Sequence, residues 1–166
     1  MKVDEEQVFQ LIRAALEAKG WRMLAGQAAR GSTDLPVVQA RIGSVKGSKG
    51  ALKPDLVASR GNDLLVLELK PSFSDSDVKK CAKLATSETL IESLLEDLSS
   101  RRKWPVDVSG RPKRPRHFLT GVAYQGVVQQ LACSACFARS ALDGRWTTRL
   151  PSDHSLNGDL VTSLSI

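Results

Sequence analysis

The stretch KPDLVASRGNDLLVLELKP, from Lys53 to Pro71, contains two apolar runs joined by the turn-forming sequence Arg-Gly-Asn-Asp at residues 60–63. Short apolar runs on either side of a two-residue Gly-Asn turn predict a β-hairpin. In that hairpin Asp55 lies directly opposite Glu68, with Cβ atoms about 4.5–5.5 Å apart. Because side chains alternate along a strand, Lys70 shares the face of Glu68. The sequence therefore predicts two acids and a lysine on one face of a sheet.

The opposed carboxylates need compensation, because like charges across a strand pair repel and burial makes that repulsion expensive. A bound cation, a protonated carboxyl group or exposure to solvent would each relieve it. Carboxylate oxygens suit a hard divalent cation such as Mg²⁺. Such a cation would polarise a phosphate and lower the pKa of a bound water, which is the chemistry of phosphodiester hydrolysis. The alternative is a surface hairpin whose acids and lysine simply pair in solvent.

Pro54-Asp55, followed after twelve residues by Glu68-Leu69-Lys70, resembles the motif of the PD-(D/E)XK nuclease superfamily, which includes restriction endonucleases and Holliday junction resolvases. The resemblance implies an α/β fold with a restriction-endonuclease-like core of order α-β-β-β-α-β, in which helices flank a mixed central sheet. It also implies a Mg²⁺ or Mn²⁺ cofactor bound by Asp55 and Glu68, with the Leu69 carbonyl as a further ligand. Lys70 would orient or activate the attacking water.

Members of this superfamily often add an acid from the first helix, and the chain offers Glu5 and Glu6 there. Glu5 is the better candidate, because the positions four, seven and eleven residues further on form the apolar stripe of the predicted helix. Its alternative role is that of a first-turn acid that favours the helix dipole. Some members also use a polar residue from the helix after the motif. Lys79, Lys80 and Lys83 are available there, and their spacing does not choose between them.

Periodicity predicts the remaining elements. Apolar residues at helical spacing indicate a first helix between a cap at Asp4 and a stop at Gly20. A second helical region, residues 76–98, has a break at Thr86-Ser87. Two further segments have the character of strands, namely Leu35–Gly43 and His117–Gly126.

The segment GSVKGSKG, residues 43–50, lacks the Gly-Lys-Ser/Thr ending of a Walker A motif. It is predicted to be a mobile loop that carries Lys46 and Lys49. With 166 residues the chain is expected to form one domain, residues 1–166, whose core lies in residues 1–126. Residues 127–166 are polar and weakly patterned, so they form a C-terminal extension without a structural prediction.

The segment from Ser99 to His117 holds seven Lys or Arg residues and one acid, so it carries the whole net charge of +6. A concentrated basic patch favours a polyanionic partner, of which nucleic acid is the commonest. The alternative is a solvated loop, broken by prolines, whose charges only aid solubility. The expected nucleic-acid contacts are Lys46, Lys49, Arg101, Arg102, Lys103, Arg111, Lys113, Arg114 and Arg116.

The composition, 42% hydrophobic and 25% charged, is that of a globular protein, and no apolar run approaches the roughly 20 residues that span a bilayer. The acidic N-terminal segment lacks the apolar core of a signal peptide, so an intracellular, cytoplasmic location without a membrane partner is expected. Three cysteines argue against a disulfide framework. Cys133 and Cys136 supply half of a zinc site, but no paired ligands accompany them, so a role as small buried hydrophobic residues is favoured.

Together these expectations describe a metal-dependent nuclease that hydrolyses phosphodiester bonds in nucleic acid, most simply a DNA endonuclease. Asp55, Glu68, Lys70 and Glu5 would be its catalytic residues, and a homodimer would allow it to cut both strands. Two alternatives stay open. One is a catalytically inactive module of the same fold that binds nucleic acid, and the other is a protein-interaction subunit whose basic loop meets an acidic partner. The sequence does not choose between DNA and RNA, or between duplex, branched and single-stranded substrates.

Overall fold

The computed structural model describes residues 3–27, 34–43, 50–152 and 158–166. In those residues the protein is an α/β structure with a six-stranded mixed sheet and four helices. The strands lie in the sheet in the order in which they occur along the chain. In chain order the elements are α1 (Glu5–Ala18), β1 (Arg22–Gly26), β2 (Leu56–Arg60), β3 (Asp63–Leu69), α2 (Asp75–Thr86), α3 (Glu88–Ser100), β4 (His117–Gln125), β5 (Ala135–Arg139), β6 (Trp146–Arg149) and α4 (Gly158–Leu164).

The hairpin predicted from the sequence is present, with the predicted register. β2 and β3 pair antiparallel, with Arg60 opposite Asp63 and Leu56 opposite Leu67. Gly61 adopts a φ of 58° in the turn, which glycine reaches without steric cost. β1 extends the antiparallel part of the sheet, whereas β3, β4 and β5 are parallel neighbours and β6 is again antiparallel. The hairpin strand β3 therefore lies in the interior of the sheet.

Helices cover both faces of the sheet. α1 and α4 share an apolar cluster with Leu65 and Leu67 of β3 on one face. α3 and the end of α2 form a second cluster on the other face, with Leu64 and Val66. All seven residues of β3 are buried, as expected for a strand covered on both sides. The alternation of side chains puts Glu68 on the α2 side of the sheet.

The first helix begins and ends where its sequence predicts. Asp4 caps α1 by accepting a hydrogen bond from the N–H of Gln7, and the Gln7 side chain accepts one from the N–H of Asp4. Gly20 follows the helix with a φ of 84°, a conformation that favours glycine. The predicted second helical region is two helices, because Ser87 leaves the helical conformation and caps α3 through the N–H of Leu90. Both predictions are confirmed.

The predicted strand Leu35–Gly43 does not form, and that prediction was wrong. Alternate residues of the segment are buried, as in a strand, but it makes only one isolated bridge in the described residues. Its backbone N–H groups donate to side chains of α3 instead. The N–H of Gln39 donates to Asp97 Oδ2 at 2.8 Å, and that of Arg41 donates to Ser93 Oγ at 2.9 Å. The third antiparallel strand is β1, which the sequence analysis missed.

Residues 127–166 complete the same sheet, since β5 pairs with β4 and β6 pairs with β5. Leu160 and Leu164 of α4 are fully buried in the cluster that contains the apolar stripe of α1. The indole N–H of Trp21 donates to the carbonyl oxygen of Ser163 at 3.0 Å and ties α4 to the start of the sheet. The C-terminal extension is therefore integral to the packing of the described residues.

Residues 44–49, which include Lys46 and Lys49 of the predicted loop, lie outside the described residues. Within the described parts of the chain, no helix combines the length and the apolar character that crossing a membrane requires.

A buried acid lies at the amino end of β3. Asp63 is 1% exposed and accepts two hydrogen bonds from the guanidinium of Arg116, at 2.8 and 3.1 Å. His117 Nδ1 lies 2.9 Å from the same carboxylate. Burial alone would raise the pKa of Asp63, but hydrogen bonding to Arg116 and His117 lowers it. The charged Asp63 thus ties the segment before β4 to the hairpin turn, where the N–H of Arg116 also donates to the carbonyl oxygen of Asn62.

Asp63→Asn is expected to destabilise the protein by about 1–3 kcal/mol at neutral pH, because it weakens charged hydrogen bonds at a buried position. The pKa of Asp63 is depressed in the folded state. Its contribution is therefore present above the unfolded pKa of about 3.9 and is lost as the pH falls through the lower folded value. Chemical denaturation of both proteins at neutral and at acidic pH measures this difference.

Glu88→Gln is the matched control. Glu88 pairs with Arg114 on the exposed surface, so its substitution should change stability by no more than about 1 kcal/mol. Equal losses in the two variants would contradict a special role for Asp63.

Candidate functional site

The two predicted acids lie at the carboxyl end of β3. Asp55 directly precedes β2, and its Oδ2 accepts a hydrogen bond from the N–H of Leu69 at 2.8 Å. The paired part of the hairpin ends with Leu56 opposite Leu67, and Asp55 and Glu68 are the next residues along the two segments. The charge of Asp55 acts on Glu68 there. The two carboxylate side chains are 18% and 11% exposed. The hairpin therefore holds two opposed and largely buried carboxylates, as its sequence predicts.

α1 brings Glu5 to the same end of the sheet. Lys70 follows β3, and its Nζ lies 3.1 Å from Glu5 Oε2 and 4.0 Å from Asp55 Oδ2. The backbone of Lys70 is held by a hydrogen bond from its N–H to the carbonyl oxygen of Ala123 in β4, at 3.0 Å. Glu6 does not join this group but accepts a hydrogen bond from a side chain one turn further along α1. The structure thus brings together the four predicted catalytic residues from three elements.

α2 adds a lysine and an acid. Lys80 Nζ lies 2.9 Å from Asp77 Oδ1 and 3.4 Å from Glu68 Oε2. Lys79 and Lys83 are exposed and have no carboxylate within ion-pair distance in the described ranges, so Lys80 is the one of the three lysines that contacts these acids. The sequence analysis missed Asp77, because an acid in the first turn of a helix is a common way to favour its dipole. Its spacing of three residues from Lys80 was the available signal.

Burial raises the pKa of both opposed acids. It raises the pKa of Asp55 even though the N–H of Leu69 and the charge of Lys70 act in the other direction. The pKa of Glu68 rises to about 7, first because the group is buried and second because Asp55 repels its charge. The positive charge near Asp55 and Glu68 therefore does not fully compensate the two carboxylates.

Lys70 and Lys80 supply part of the positive charge that compensates the acids. Burial would lower the pKa of Lys70, but its hydrogen bond to Glu5 and the charge of Asp55 raise it. The hydrogen bond to Asp77 raises the pKa of Lys80. Burial would raise the pKa of Asp77, but the ammonium of Lys80 lowers it. Both lysines are thus ammonium groups at neutral pH, and each lies between two carboxylates.

The oxygens of Asp55 and Glu68 form a donor set that fits a hard divalent cation. Mg²⁺ commonly binds proteins through one or two carboxylates and keeps several waters. A cation would also stabilise the charged forms of both carboxylates, whose pKa values are raised first of all by burial. In the parts of the chain that the structure describes, no three His, Cys, Asp or Glu side chains surround one point as metal ligands. The ammonium groups of Lys70 and Lys80 lie between the acids instead. A role for the Leu69 carbonyl stays a prediction.

The basic segment lies at the opposite end of the sheet from these acids. Arg116 binds Asp63 at the amino end of β3, where β4 also begins. Asp63 and Glu68 are separated by roughly 17 Å along the strand. The structure therefore does not bring the expected nucleic-acid contacts of this segment to the acid site.

Three of those contacts are engaged in ion pairs within the chain: Arg101 with Asp97, Arg114 with Glu88 and Glu92, and Arg116 with Asp63. The other four side chains of the segment have no carboxylate within ion-pair distance among the described residues, and they are Arg102, Lys103, Arg111 and Lys113. At longer range Lys103 acts on Asp34 and Arg111 acts on Asp107. These four are the cations of the segment that remain for a polyanion.

Comparison with known proteins gives no match: no family model fits the chain, and no curated protein is similar to it. The interpretation of the site rests on its geometry and on the motif.

In the metal-free protein Glu68 is expected to titrate near pH 7. An acid whose pKa is raised by folding binds its proton more tightly in the folded state. The stabilisation from this proton is therefore full below the unfolded pKa of about 4.3 and is lost as the pH rises through about 7. Glu68→Gln should flatten the decline in stability between these values. Carboxyl-carbon NMR titration and thermal unfolding, both in EDTA, measure the two effects.

Glu96→Gln, which changes an exposed glutamate of α3, is the matched control and should leave the pH dependence of stability as it is in the wild type. A Glu68 midpoint near pH 4 would contradict the arrangement of the site.

Proposed function

We propose that this protein is a nuclease of the PD-(D/E)XK type, which hydrolyses phosphodiester bonds in DNA with Mg²⁺ or Mn²⁺. One observation carries the proposal: Asp55 and Glu68 directly follow the last pair of the buried hairpin, Leu56 and Leu67, and the charge of Asp55 acts on Glu68. Lys70 Nζ lies 4.0 Å from Asp55 Oδ2. Two carboxylates whose negative charge is not fully compensated can bind a cation, and the adjacent lysine can bind a phosphate next to that cation.

The order of elements also supports the proposal. α1 precedes three antiparallel strands, α2 and α3 follow β3, and β4 pairs parallel with β3. This order is compatible with the α-β-β-β-α-β order that the motif implies if α2 and α3 together take the place of its second helix. β1 then takes the place of the strand expected over Leu35–Gly43. β5, β6 and α4 would then be additions to a restriction-endonuclease-like core.

Each side chain has its own part in the proposed reaction. A water forms a bond to phosphorus in line with the leaving oxygen, the bond from phosphorus to that oxygen breaks, and the proton of the water passes to the solvent. Asp55 and Glu68 would hold the divalent cation, which when bound would stabilise charge on the phosphate and lower the pKa of a water. Lys70 stays protonated because Glu5 and Asp55 raise its pKa. It therefore stabilises the developing negative charge and does not serve as the base. Glu5 positions the Lys70 ammonium through their 3.1 Å contact.

Asp55→Asn and Glu68→Gln are each expected to abolish Mg²⁺-dependent cleavage, because each removes a carboxylate from the cation site. Neither should lower stability in EDTA, because each also relieves repulsion. Lys70→Met should keep Mn²⁺ binding but lower the cleavage rate on the order of 10²–10⁴-fold. Labelled duplex, branched and single-stranded DNA and RNA, incubated with Mg²⁺ or with EDTA, measure the rates.

Lys83→Met, which removes an exposed lysine of α2, is the control and should cleave at the wild-type rate. Lys70→Arg should not restore full activity, because a planar guanidinium does not reproduce a compact ammonium. Acids that prove necessary for stability in EDTA, or a Lys70→Met variant with full turnover, would refute the proposed site.

Nucleic-acid binding without cleavage is the second candidate function, and the position of the basic segment favours it. The segment meets the hairpin turn at the far end of the sheet from Glu68, where Arg116 binds Asp63 and where Arg102 and Lys103 line one cleft with Gly61. Phosphates bound there would be remote from the acids, so binding at this end would not require a working cation site.

Replacing Arg102, Lys103, Arg111 and Lys113 with Ala is expected to weaken nucleic-acid binding. It should also reduce the slope of log affinity against log salt by about 0.9 for each lost contact to duplex DNA. Arg114→Ala should have a smaller effect, because Arg114 already pairs with acids of α3. Fluorescence anisotropy over a salt series in EDTA measures both. Unchanged affinity and slope in the fourfold variant would make the segment a solvated loop.

A further inference from the structure

Lys80 occupies a position between two acids that a bound cation could take. Its single ammonium bridges Asp77 of α2, at 2.9 Å, and Glu68 of β3, at 3.4 Å. The Lys80 side chain is 46% exposed, whereas those of Asp77 and Glu68 are 4% and 11% exposed. The two acids are therefore fixed in the interior, and the cation reaches them from the solvent side.

The contact with Lys80 does not satisfy Asp77. Its Oδ2 is buried and makes no hydrogen bond within the described residues. A buried carboxylate oxygen without a partner is costly, so such an atom calls for an explanation beyond packing. Together Asp77 and Glu68 present four oxygens, and the ammonium of Lys80 contacts one on each side chain. The pair has the capacity to bind an ion of higher charge.

We propose that Glu68 and Asp77 form a second position for a divalent cation, which Lys80 fills in the metal-free protein and vacates when the ion binds. The inference rests on the proposed function for the role of Glu68, and it adds Asp77 to that site. Because the donors are carboxylate oxygens, the ion is a hard one of the class of Mg²⁺ or Mn²⁺.

The exchange is physically favourable for two reasons. A divalent ion brings two positive charges to two carboxylates where the ammonium brings one, so it compensates the pair more fully. The displaced Lys80 lies on the outer surface of α2, where a long and flexible side chain places its charge in water at little cost.

Lys80→Met tests the proposal, because it removes the competing charge and keeps most of the aliphatic side chain. This variant is expected to bind Mn²⁺ at least about tenfold more tightly than the wild type. Its melting temperature should also rise more on addition of Mn²⁺. Lys83→Met, on the same helix, should bind as the wild type does. Isothermal titration with Mn²⁺, and thermal unfolding in EDTA and in Mn²⁺, provide the measurements.

Two double variants locate the ion. Asp55→Asn combined with Lys80→Met should still bind one Mn²⁺, because Glu68 and Asp77 are intact. Asp77→Asn combined with Lys80→Met should lose the tenfold increase. The proposal is overturned if the first double variant binds no Mn²⁺, if the second keeps the increase, or if Lys80→Met binds as the wild type does. Should Lys80→Met unfold in EDTA, Mn²⁺ must restore its circular dichroism spectrum, and failure to do so also overturns the proposal.

None of these readouts depends on cleavage. A protein whose Mn²⁺ affinity follows the expected series but which cuts no substrate would refute the nuclease function alone. Metal-dependent cleavage together with unchanged Mn²⁺ binding in Lys80→Met would refute only the second cation position.

Discussion

The register of the β2–β3 hairpin is the constraint on which the rest of the structure depends. The two-residue turn at Gly61 sets Arg60 opposite Asp63, and from there the pairing runs to Leu56 and Leu67, which directly adjoin Asp55 and Glu68. A slip of one residue would turn every side chain of β3 to the other face. Glu68 would then enter the apolar cluster of α1, and leucines would meet α2. Because β3 is buried on both faces, the hydrophobic core and the acid site specify the same register.

That register explains why the site draws on three elements. A strand end buried on both faces cannot leave two carboxylates to water, so compensation has to come from neighbouring elements. Lys70 supplies it from the residue directly after the strand and is held by Glu5 of α1, whereas Lys80 supplies it from α2. At the opposite end of β3 a buried carboxylate is compensated in a different way. There Asp63 has a guanidinium and an imidazole as partners, and its pKa is lowered.

Much of this could be predicted from local rules. The hairpin, the cap at Asp4 and the break at Ser87 follow from turn and capping chemistry, which depends on residues close together in sequence. The segment Leu35–Gly43 was wrongly predicted to be a strand because its alternate residues are apolar and buried. That pattern has the period of a strand even where the backbone N–H groups do not bond to a neighbouring strand. Its N–H groups find α3 side chains, a partnership that only the tertiary structure reveals. β1 was not predicted because it is only five residues long and follows a helix closely, so its sequence shows little alternation of apolar and polar residues.

The site shows the same division between local and tertiary information. Asp55, Glu68 and Lys70 follow from hairpin geometry, whereas Asp77 enters only because α2 packs over the strand end. The basic segment was identified correctly as the source of the net charge, but composition contains no information about which end of a sheet a loop occupies. Its location followed from the contact of Arg116 with Asp63. Charge density alone therefore did not relate the basic residues to the acids.

The charges of the site leave an imbalance that a divalent cation would match. Four carboxylates share the site with two ammonium groups: Glu5, Asp55, Glu68 and Asp77 with Lys70 and Lys80. With every acid ionised, the group carries two more negative than positive charges. In the metal-free protein a proton on Glu68, whose pKa is about 7, compensates part of this excess near neutral pH. Protonation of Glu68 and binding of a cation are thus two ways to meet one electrostatic requirement, because a carboxylate must lose its proton before it binds a metal.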